Sequence, residues 1–238
     1  MNVVLVGGTV EALVLAHHLS SDHTVFLVEI EAELGLPVTH PGRIYDRSIL
    51  KEYITKEQES FLLLTKNPQG WGCRWDWLLK HLAANVARNG VNCYTRTRIL
   101  SCSKQGEQYS LELTSGERDL PTHLIADRVI VMQRAENIHP GRRHHRLVPD
   151  KPEIFPQEDG VEWKGGTLLT ADAKAAPHTD LHLNRGDGMT ELWWKGDLTW
   201  YPSRGFFESS TTVLHANSDE LAFDSVVARV LSFLNDPV

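Results

Sequence analysis

The first thirty residues place a glycine turn and a carboxylate at the ends of two apolar segments. "NVVLVGGTVEALVLAHHL" contains the apolar run Asn2 to Val6 and the turn Gly7 to Thr9, and "VFLVEIEAELG" carries a second apolar run that ends at Glu29. Short β-branched runs of this kind are typical of strands buried in a parallel sheet. The apolar spacing from Val10 to Ser20 predicts a helix between them. Together these segments predict a βαβ unit.

Residues of these types in a βαβ unit can bind a dinucleotide. The first glycine allows the tight bend, the second lets backbone amides approach the pyrophosphate, and an acid at the end of the second strand accepts ribose hydroxyls. Gly7 and Gly8 form the bend, and Ala12 stands at the third glycine position. Glu29 follows Gly7 by 22 residues, close to the expected separation of about 20. Thr9 replaces the second glycine; its branched side chain crowds the phosphate position, although its hydroxyl could donate to a phosphate oxygen.

The same glycines would also serve a βαβ unit that binds no nucleotide, and the residue pattern alone leaves both interpretations open. Glu11 adds weight to the second, because a carboxylate in the first helical turn repels phosphate if it points inward.

Composition limits the classes of function. The 238 residues are 41% hydrophobic, and the net charge is −7; this charge argues against general binding of nucleic acid or of a membrane surface. The basic run from His139 to Arg146 is expected to be a solvated loop. The cysteines Cys73, Cys93 and Cys102 have no metal-ligand spacing and cannot all pair. We therefore expect no metal site and a cytoplasmic location, since no signal peptide and no apolar run of about 20 residues is found.

The middle of the chain mixes helical and strand patterns. "DRSILKEYITKEQESFLLL" has helical spacing, and the apolar stripe from Trp75 to Ala87 predicts a helix that ends on a left-handed residue at Gly90. "NCYTRTRILSCSKQ" and "QYSLELTS" alternate and predict antiparallel strands. "HLIADRVIVM" predicts one buried strand that returns to the first sheet.

The C-terminal half predicts a β-rich region and a final helix. "EWKGGTLLTADAK", "DLHLNRGDGMTELWWKGDLTWYPS" and "TTVLHA" have strand character. "SDELAFDSVVARVLSFLND" predicts a helix with Ser218 as its N-cap. The predicted fold class is α/β, with a Rossmann-like parallel sheet, an inserted antiparallel β region and a C-terminal helix that closes the nucleotide-binding domain. The predicted domains are residues 1–135, a β-rich substrate or interaction region at 136–214, and the returning helix at 215–238.

These motifs resemble those of the flavin-dependent oxidoreductases and monooxygenases with the glutathione-reductase-like fold, which has two dinucleotide-binding domains. The family's three consecutive glycines, two further residues and fourth glycine fall on Gly7 to Ala12, and its glycine after the ribose-binding acid falls on Gly35. "CRWDWLLKHLAANVARNGVNCYTRTRI" is similar to a family segment whose arginine lies near the flavin. The resemblance therefore implies a flavin-proximal role for Arg74, and it covers residues 2 to about 135.

The resemblance implies a compact FAD-dependent oxidoreductase or monooxygenase that acts on a small organic substrate. FAD would be bound by Gly7, Gly8, Thr9, Ala12, Glu29 and Arg74, with NAD(P)H as a candidate reductant; no catalytic residue can be named. The alternative is a non-catalytic member of the same fold that has lost its flavin and acts as a binding or partner subunit. Three departures from the family pattern support this alternative: Thr9 in the glycine turn, Gln133-Arg134 in place of a small-residue turn, and the lack of a Gly-Asp pair before the last helix. A nicotinamide nucleotide binder without flavin is the third hypothesis.

Overall fold

The computed structural model describes residues 1–35, 38–132, 152–156, 160–198 and 200–235. Three predicted features lie outside these ranges: the second position of the glycine pair at Leu36, the turn at Gln133-Arg134, and the basic run from His139 to Arg146. The chain divides into two units. The first contains Met1–Leu36, Leu82–Gln157 and Phe233–Val238, and the second contains Pro37–His81 and Glu158–Ser232.

The first unit is built on a parallel sheet of five strands. Its strands are β1 (Asn2–Val6), β2 (Thr24–Val28), β6 (Asn92–Tyr94), β10 (Arg128–Val131) and β11 (Glu153–Ile154), in the order β11-β10-β1-β2-β6. β1 lies between β2 and β10 and pairs in parallel with both. The chain therefore reverses its direction of progression beside β1, and in open α/β sheets ligands bind at such a switch point, outside the carboxyl ends of the strands.

Helix α1 (Val10–Leu19) connects β1 to β2, as the apolar spacing predicts. Burial extends around most of the helix, because Ala12 and Leu15 are fully buried as well as Leu13 and Ala16. A helix that is apolar around most of its circumference is typically enclosed on several sides. The helix is therefore fixed firmly at the edge where its first turn begins.

An antiparallel sheet of three strands completes the first unit and corrects two predictions. Its strands are β7 (Thr97–Gln105), β8 (Gln108–Ser115) and β9 (His123–Ala126). β7 and β8 are antiparallel as predicted, but the first predicted segment, "NCYTRTRILSCSKQ", is two strands: the turn at Arg96, which has a positive φ of 50°, separates β6 from β7, and β6 pairs in parallel with β2. The single predicted strand "HLIADRVIVM" is two strands, β9 and β10, because the Asp127 amide and carboxylate both bond to the backbone of Asn2.

The second unit contains two further antiparallel sheets. A small one has the order β3-β5-β4 and comprises β3 (Arg43–Ile44), β4 (Thr65–Asn67) and β5 (Gly70–Gly72). A larger one has the order β13-β14-β12-β15 and comprises β12 (Gly160–Leu169), β13 (Leu181–Asn184), β14 (Met189–Lys195) and β15 (Glu208–His215). The predicted strand character of the C-terminal half is thereby confirmed.

The predicted helical segment after Asp46 is broken into short pieces. A 3₁₀ turn at Arg47–Ile49 leads into α2 (Leu50–Tyr53), and α3 (Lys56–Ser60) begins anew. The break lies at Ile54-Thr55, because Thr55 and Gln58 form a capping box that starts α3. A third short helix, α5 (Thr170–Ala173), follows β12.

The two longer helices begin in the second unit and end in the first. α4 (Trp75–Arg88) ends as predicted at Gly90, whose φ is 90° and whose amide bonds to the Ala87 carbonyl. α6 (Phe223–Asn235) is preceded by a 3₁₀ turn at Ser218–Leu221. The predicted N-cap Ser218 is wrong: Asn217 caps that turn, because its side-chain oxygen accepts the Asp219 amide at 3.1 Å.

The α/β fold class is confirmed by the parallel sheet and the antiparallel sheets. The division at residues 135 and 214 stays a prediction. Within the described ranges, no helix combines the length and the apolar character that crossing a bilayer requires.

Gly165 provides a test of the packing of the larger sheet. A methyl group at this position would overlap the indole ring of Trp193, so we expect Gly165→Ala to lower the free energy of unfolding by about 1–3 kcal/mol, as overpacked substitutions do. Urea unfolding measures this change. Gly116→Ala is the matched control, since its nearest neighbour would lie at an ordinary 3.6 Å; an equal loss in both variants would contradict the packing argument.

Candidate functional site

The glycine turn after β1 depends on two residues that cannot be replaced without strain. Gly7 has a φ of 104°, which favours glycine, and its amide donates to the Val28 carbonyl at 2.9 Å. A Cβ on Gly8 would lie 2.9 Å from the Leu34 side chain and 3.0 Å from the Glu29 carboxylate. Glycine at position 8 therefore permits the close approach of Glu29.

Glu29 is a buried carboxylate at the carboxyl end of β2. It is 3% exposed, and its Oε2 accepts the Gly8 amide at 2.5 Å while its Oε1 accepts the Glu31 amide at 2.9 Å. Its own backbone is held on both sides, by the Tyr94 carbonyl and the Thr97 amide. The structure therefore brings Glu29 and the glycine turn together, as the sequence pattern predicts for the carboxyl ends of adjacent parallel strands.

Thr9 and Ala12 form the first turn of α1. Thr9 is the N-cap, with an extended ψ of 170°, and its Oγ1 accepts the Ala12 amide at 3.2 Å. The Thr9 carbonyl accepts the Leu13 amide at 3.1 Å. A capping hydroxyl keeps its own proton for donation to another group. Gly7, Gly8, Thr9, Ala12 and Glu29 thus converge at one edge of the parallel sheet.

A dinucleotide is suited to this edge on physical grounds. Backbone amides in the first turn of a helix and the helix dipole both attract phosphate. An ionised carboxylate only accepts hydrogen bonds, which is what ribose hydroxyls require, and the Gly8 and Glu31 amides fix its orientation. The donor and acceptor types present therefore match a pyrophosphate beside a ribose.

Arg74 belongs to the second unit, and its surroundings there are defined. Its guanidinium pairs with the Asp76 carboxylate at 2.8 Å, and its Cζ lies 5.6 Å from the centre of the Trp77 ring. Its backbone amide donates to the Leu62 carbonyl at 2.8 Å. The contact with Asp76 orients the guanidinium. Because both side chains of the pair are about one-third exposed, the guanidinium remains accessible to solvent.

Neither Cys73 nor Cys93 is an activated thiol. Burial, followed by the negative charge of Glu191, raises the pKa of the Cys73 thiol, and burial raises the pKa of Cys93. A raised pKa keeps the thiol protonated and unreactive. Among the described residues, no three His, Cys, Asp or Glu side chains come together as a metal site.

A buried ion pair in the second unit was not anticipated from the sequence. Arg185 donates to the Glu191 Oε1 at 3.1 Å and to Asp187 at 3.0 Å, and the Gly42 amide donates to the Glu191 Oε2 at 2.9 Å. Burial raises the pKa of Glu191, and the Gly42 and Arg185 interactions oppose that rise. The only signal in the sequence was a charged residue inside the apolar segment "TELWW".

No family model and no curated protein matches the sequence. Solved structures do match the fold. A geranylgeranyl bacteriochlorophyll reductase-like protein from Thermoplasma acidophilum has a TM-score of 0.61 and 14% identity, over 91% of this chain and 66% of its own. The p-nitrophenol 4-monooxygenase of Pseudomonas putida has a TM-score of 0.56 and 10% identity, over 90% and 67%.

A third similar structure is a complex with FAD. CtdE bound to FAD and a substrate has a TM-score of 0.51 and 11% identity, over 84% of this chain and 58% of its own. The chain thus spans between about half and two thirds of the length of these proteins. At such low identities the similarity establishes the fold.

The Glu191–Arg185 pair makes stability depend on pH. The pKa of Glu191 is raised in the folded state, so the folded protein binds this proton more tightly than the unfolded chain does. The stability gained from that proton is fully present below the unfolded pKa of about 4.3 and is lost as the pH rises through the folded pKa. Arg185→Met removes the cation that opposes this rise. We expect it to lower the free energy of unfolding by about 3–5 kcal/mol at pH 7, and by clearly less at pH 4, where Glu191 is protonated.

Urea unfolding at the two pH values measures the difference. Arg204→Met is the control, since the Arg204 side chain is 70% exposed, and its effect should stay within about 0.5 kcal/mol. An equal loss at pH 4 and pH 7 for Arg185→Met would show that Glu191 ionisation is not involved.

Proposed function

We propose that this chain binds FAD and acts as a compact FAD-dependent oxidoreductase or monooxygenase on a small organic substrate, with a fold of the glutathione-reductase-like kind. The observation that carries the proposal is the Glu29 carboxylate held on the Gly8 amide at the switch point of the parallel sheet. The FAD complex of CtdE and the monooxygenase of Pseudomonas putida, which share the fold, support the same class.

The pyrophosphate would lie at the start of α1. Gly7 sets the bend there, and Gly8 lets the chain pass close to Glu29. Thr9 caps the helix; its hydroxyl accepts the Ala12 amide and keeps its own proton, while its branched side chain reduces the space for the phosphates. Ala12 is fully buried, so its small side chain allows α1 to pack closely on the sheet, as the third glycine of the motif does.

The adenosine ribose would lie at Glu29. Hydrogen bonds from two hydroxyls to an ionised carboxylate are charge-assisted and therefore stronger than neutral ones. The amides of Gly8 and Glu31 hold the carboxylate in its orientation before the ligand arrives, so little side-chain freedom is lost on binding.

The family resemblance is the basis for proposing a flavin-proximal role for Arg74. Asp76 and the Trp77 ring orient its guanidinium, and partial exposure leaves part of the fork accessible. When bound, FAD would supply the redox step, and the protein would supply binding, orientation and electrostatics. This division agrees with the protonated thiols of Cys73 and Cys93. NAD(P)H is the proposed reductant.

Replacement of Glu29 tests the ribose assignment. We expect Glu29→Gln to weaken FAD binding by at least about tenfold, because it removes the charge from the hydroxyl acceptor. Glu33→Ala is the matched control, since Glu33 is an exposed carboxylate in the same segment. Flavin fluorescence quenching measures the affinity, and thermal unfolding without FAD checks that the variant folds; equal affinity in both variants would contradict the assignment.

The same purified protein separates the competing functions. Flavin absorbance that co-purifies with the chain, or a thermal shift with added FAD, supports the proposal. Colourless protein that takes up no FAD and shows no shift supports the non-catalytic partner subunit, and a shift with NAD or NADP alone supports a nicotinamide nucleotide binder.

Substitution of Thr9 separates helix capping from phosphate binding. Thr9→Ala removes the cap and is expected to cost about 1 kcal/mol of stability, whereas Thr9→Gly costs only about a few tenths. Thr9→Gly should also bind FAD more tightly than the wild type, because the branched side chain no longer crowds the phosphates. Urea unfolding and FAD titration measure the two effects. Weaker FAD binding by Thr9→Gly, with Thr9→Ser unchanged, would instead identify the hydroxyl as a phosphate donor.

A further inference from the structure

A cavity of about 310 Å³ lies in the second unit, between α5 and the segment that joins β14 to β15. Its size is at the lower end of the range of about 300–1,000 Å³ for small-molecule sites. It is lined by Ala171, Asp172, Ala175, Trp200, Tyr201 and Ser203. Nothing in the proposed flavin site uses these residues.

Aromatic rings form one wall of the cavity. Trp200 is held within an aromatic cluster, with its ring centre 6.4 Å from those of Trp194 and Phe206. Tyr201 packs on Phe206 at 6.3 Å while remaining 70% exposed. The faces of Trp and Tyr rings attract cations, and Trp does so most strongly.

A carboxylate lies beside this wall. The Asp172 side chain is only 16% exposed, and its ion-pair partner among the described residues is Arg204, whose Nε lies 3.7 Å from the Asp172 Oδ2. The Arg204 side chain is itself 70% exposed. An ion pair with so exposed a partner contributes little, so Asp172 brings a largely buried negative charge to the cavity with only a weakly held counter-ion.

We propose that this cavity binds the cationic head of a small organic ammonium compound. The ammonium would lie against the Trp200 and Tyr201 faces and neutralise Asp172, and it would replace the Arg204 guanidinium. The small side chains of Ala171 and Ala175 leave room for the methyl groups of a quaternary nitrogen. The residues of this cavity are all different from those proposed to bind the flavin cofactor.

Choline and its neutral isostere 3,3-dimethylbutan-1-ol provide matched probes, because they differ in the charge of one atom. Titration of the ¹⁵N-labelled full chain, followed through the tryptophan indole N–H signals, reports the site; the Trp200 signal is assigned as the one missing from Trp200→Phe. We expect choline to shift the Trp200 signal saturably and the isostere to bind at least about tenfold more weakly.

Substitutions of the cavity residues test whether choline binds there. Asp172→Asn is expected to weaken choline binding by about tenfold, and Tyr201→Leu, at an exposed position that should not disturb folding, by about threefold. Arg204→Ala should strengthen it, since the competing cation is removed. Asp197→Asn is the control for Asp172→Asn, because Asp197 is a 94% exposed carboxylate in the segment after β14 and does not line the cavity; this variant should bind choline as the wild type does.

Three results would overturn the proposal: no shift of the Trp200 signal at choline concentrations up to tens of millimolar, equal binding of choline and the isostere, or an unchanged affinity in Asp172→Asn. Each of these can be read whether or not the chain binds FAD.

Discussion

The hydrogen bond between the Gly8 amide and the Glu29 carboxylate determines the geometry of the sheet edge at which the glycine turn lies. It joins the chain just beyond the ends of β1 and β2, after the last paired residues, Val6 and Val28. A hydrogen bond to a charged group contributes about 1.5–3 kcal/mol, and a buried amide that loses its acceptor costs a similar amount. Gly8, the burial of Glu29 and the start of α1 are therefore mutually dependent features.

The sequence predicts this edge well because its signals are local. β1, α1 and β2 lie within the first 28 residues, and each has the periodicity of its element. Glu29 was found from its spacing to Gly7, and the helix end at Gly90 from glycine's tolerance of positive φ. Such features need only the geometry of neighbouring residues, so a single sequence suffices to anticipate them.

The errors in the sheets arise where pairing partners are far apart in the sequence. β6 alternates like an antiparallel strand, but its place beside β2 depends on a pairing that no local pattern encodes. The break between β9 and β10 depends on Asp127, whose carboxylate reaches Asn2, 125 residues away. Glu191 similarly accepts the amide of Gly42, 149 residues away. Local propensity cannot identify these contacts, because tertiary packing selects them.

Two arginine–carboxylate pairs of the second unit differ in how deeply the arginine is buried. This difference decides whether the pair can only stabilise the fold or can also exchange its cation for a ligand. In the Glu191–Arg185 pair both side chains are at most 10% exposed, and Gly42 and Asp187 take up further hydrogen bonds. Exchanging that cation would leave a buried charge uncompensated, which is costly. In the Asp172–Arg204 pair the carboxylate is largely buried, but the guanidinium is 70% exposed and 3.7 Å away. Water can hydrate the released Arg204 guanidinium at little cost. Of these two carboxylates, Asp172 is therefore the one that can exchange its cation for a ligand.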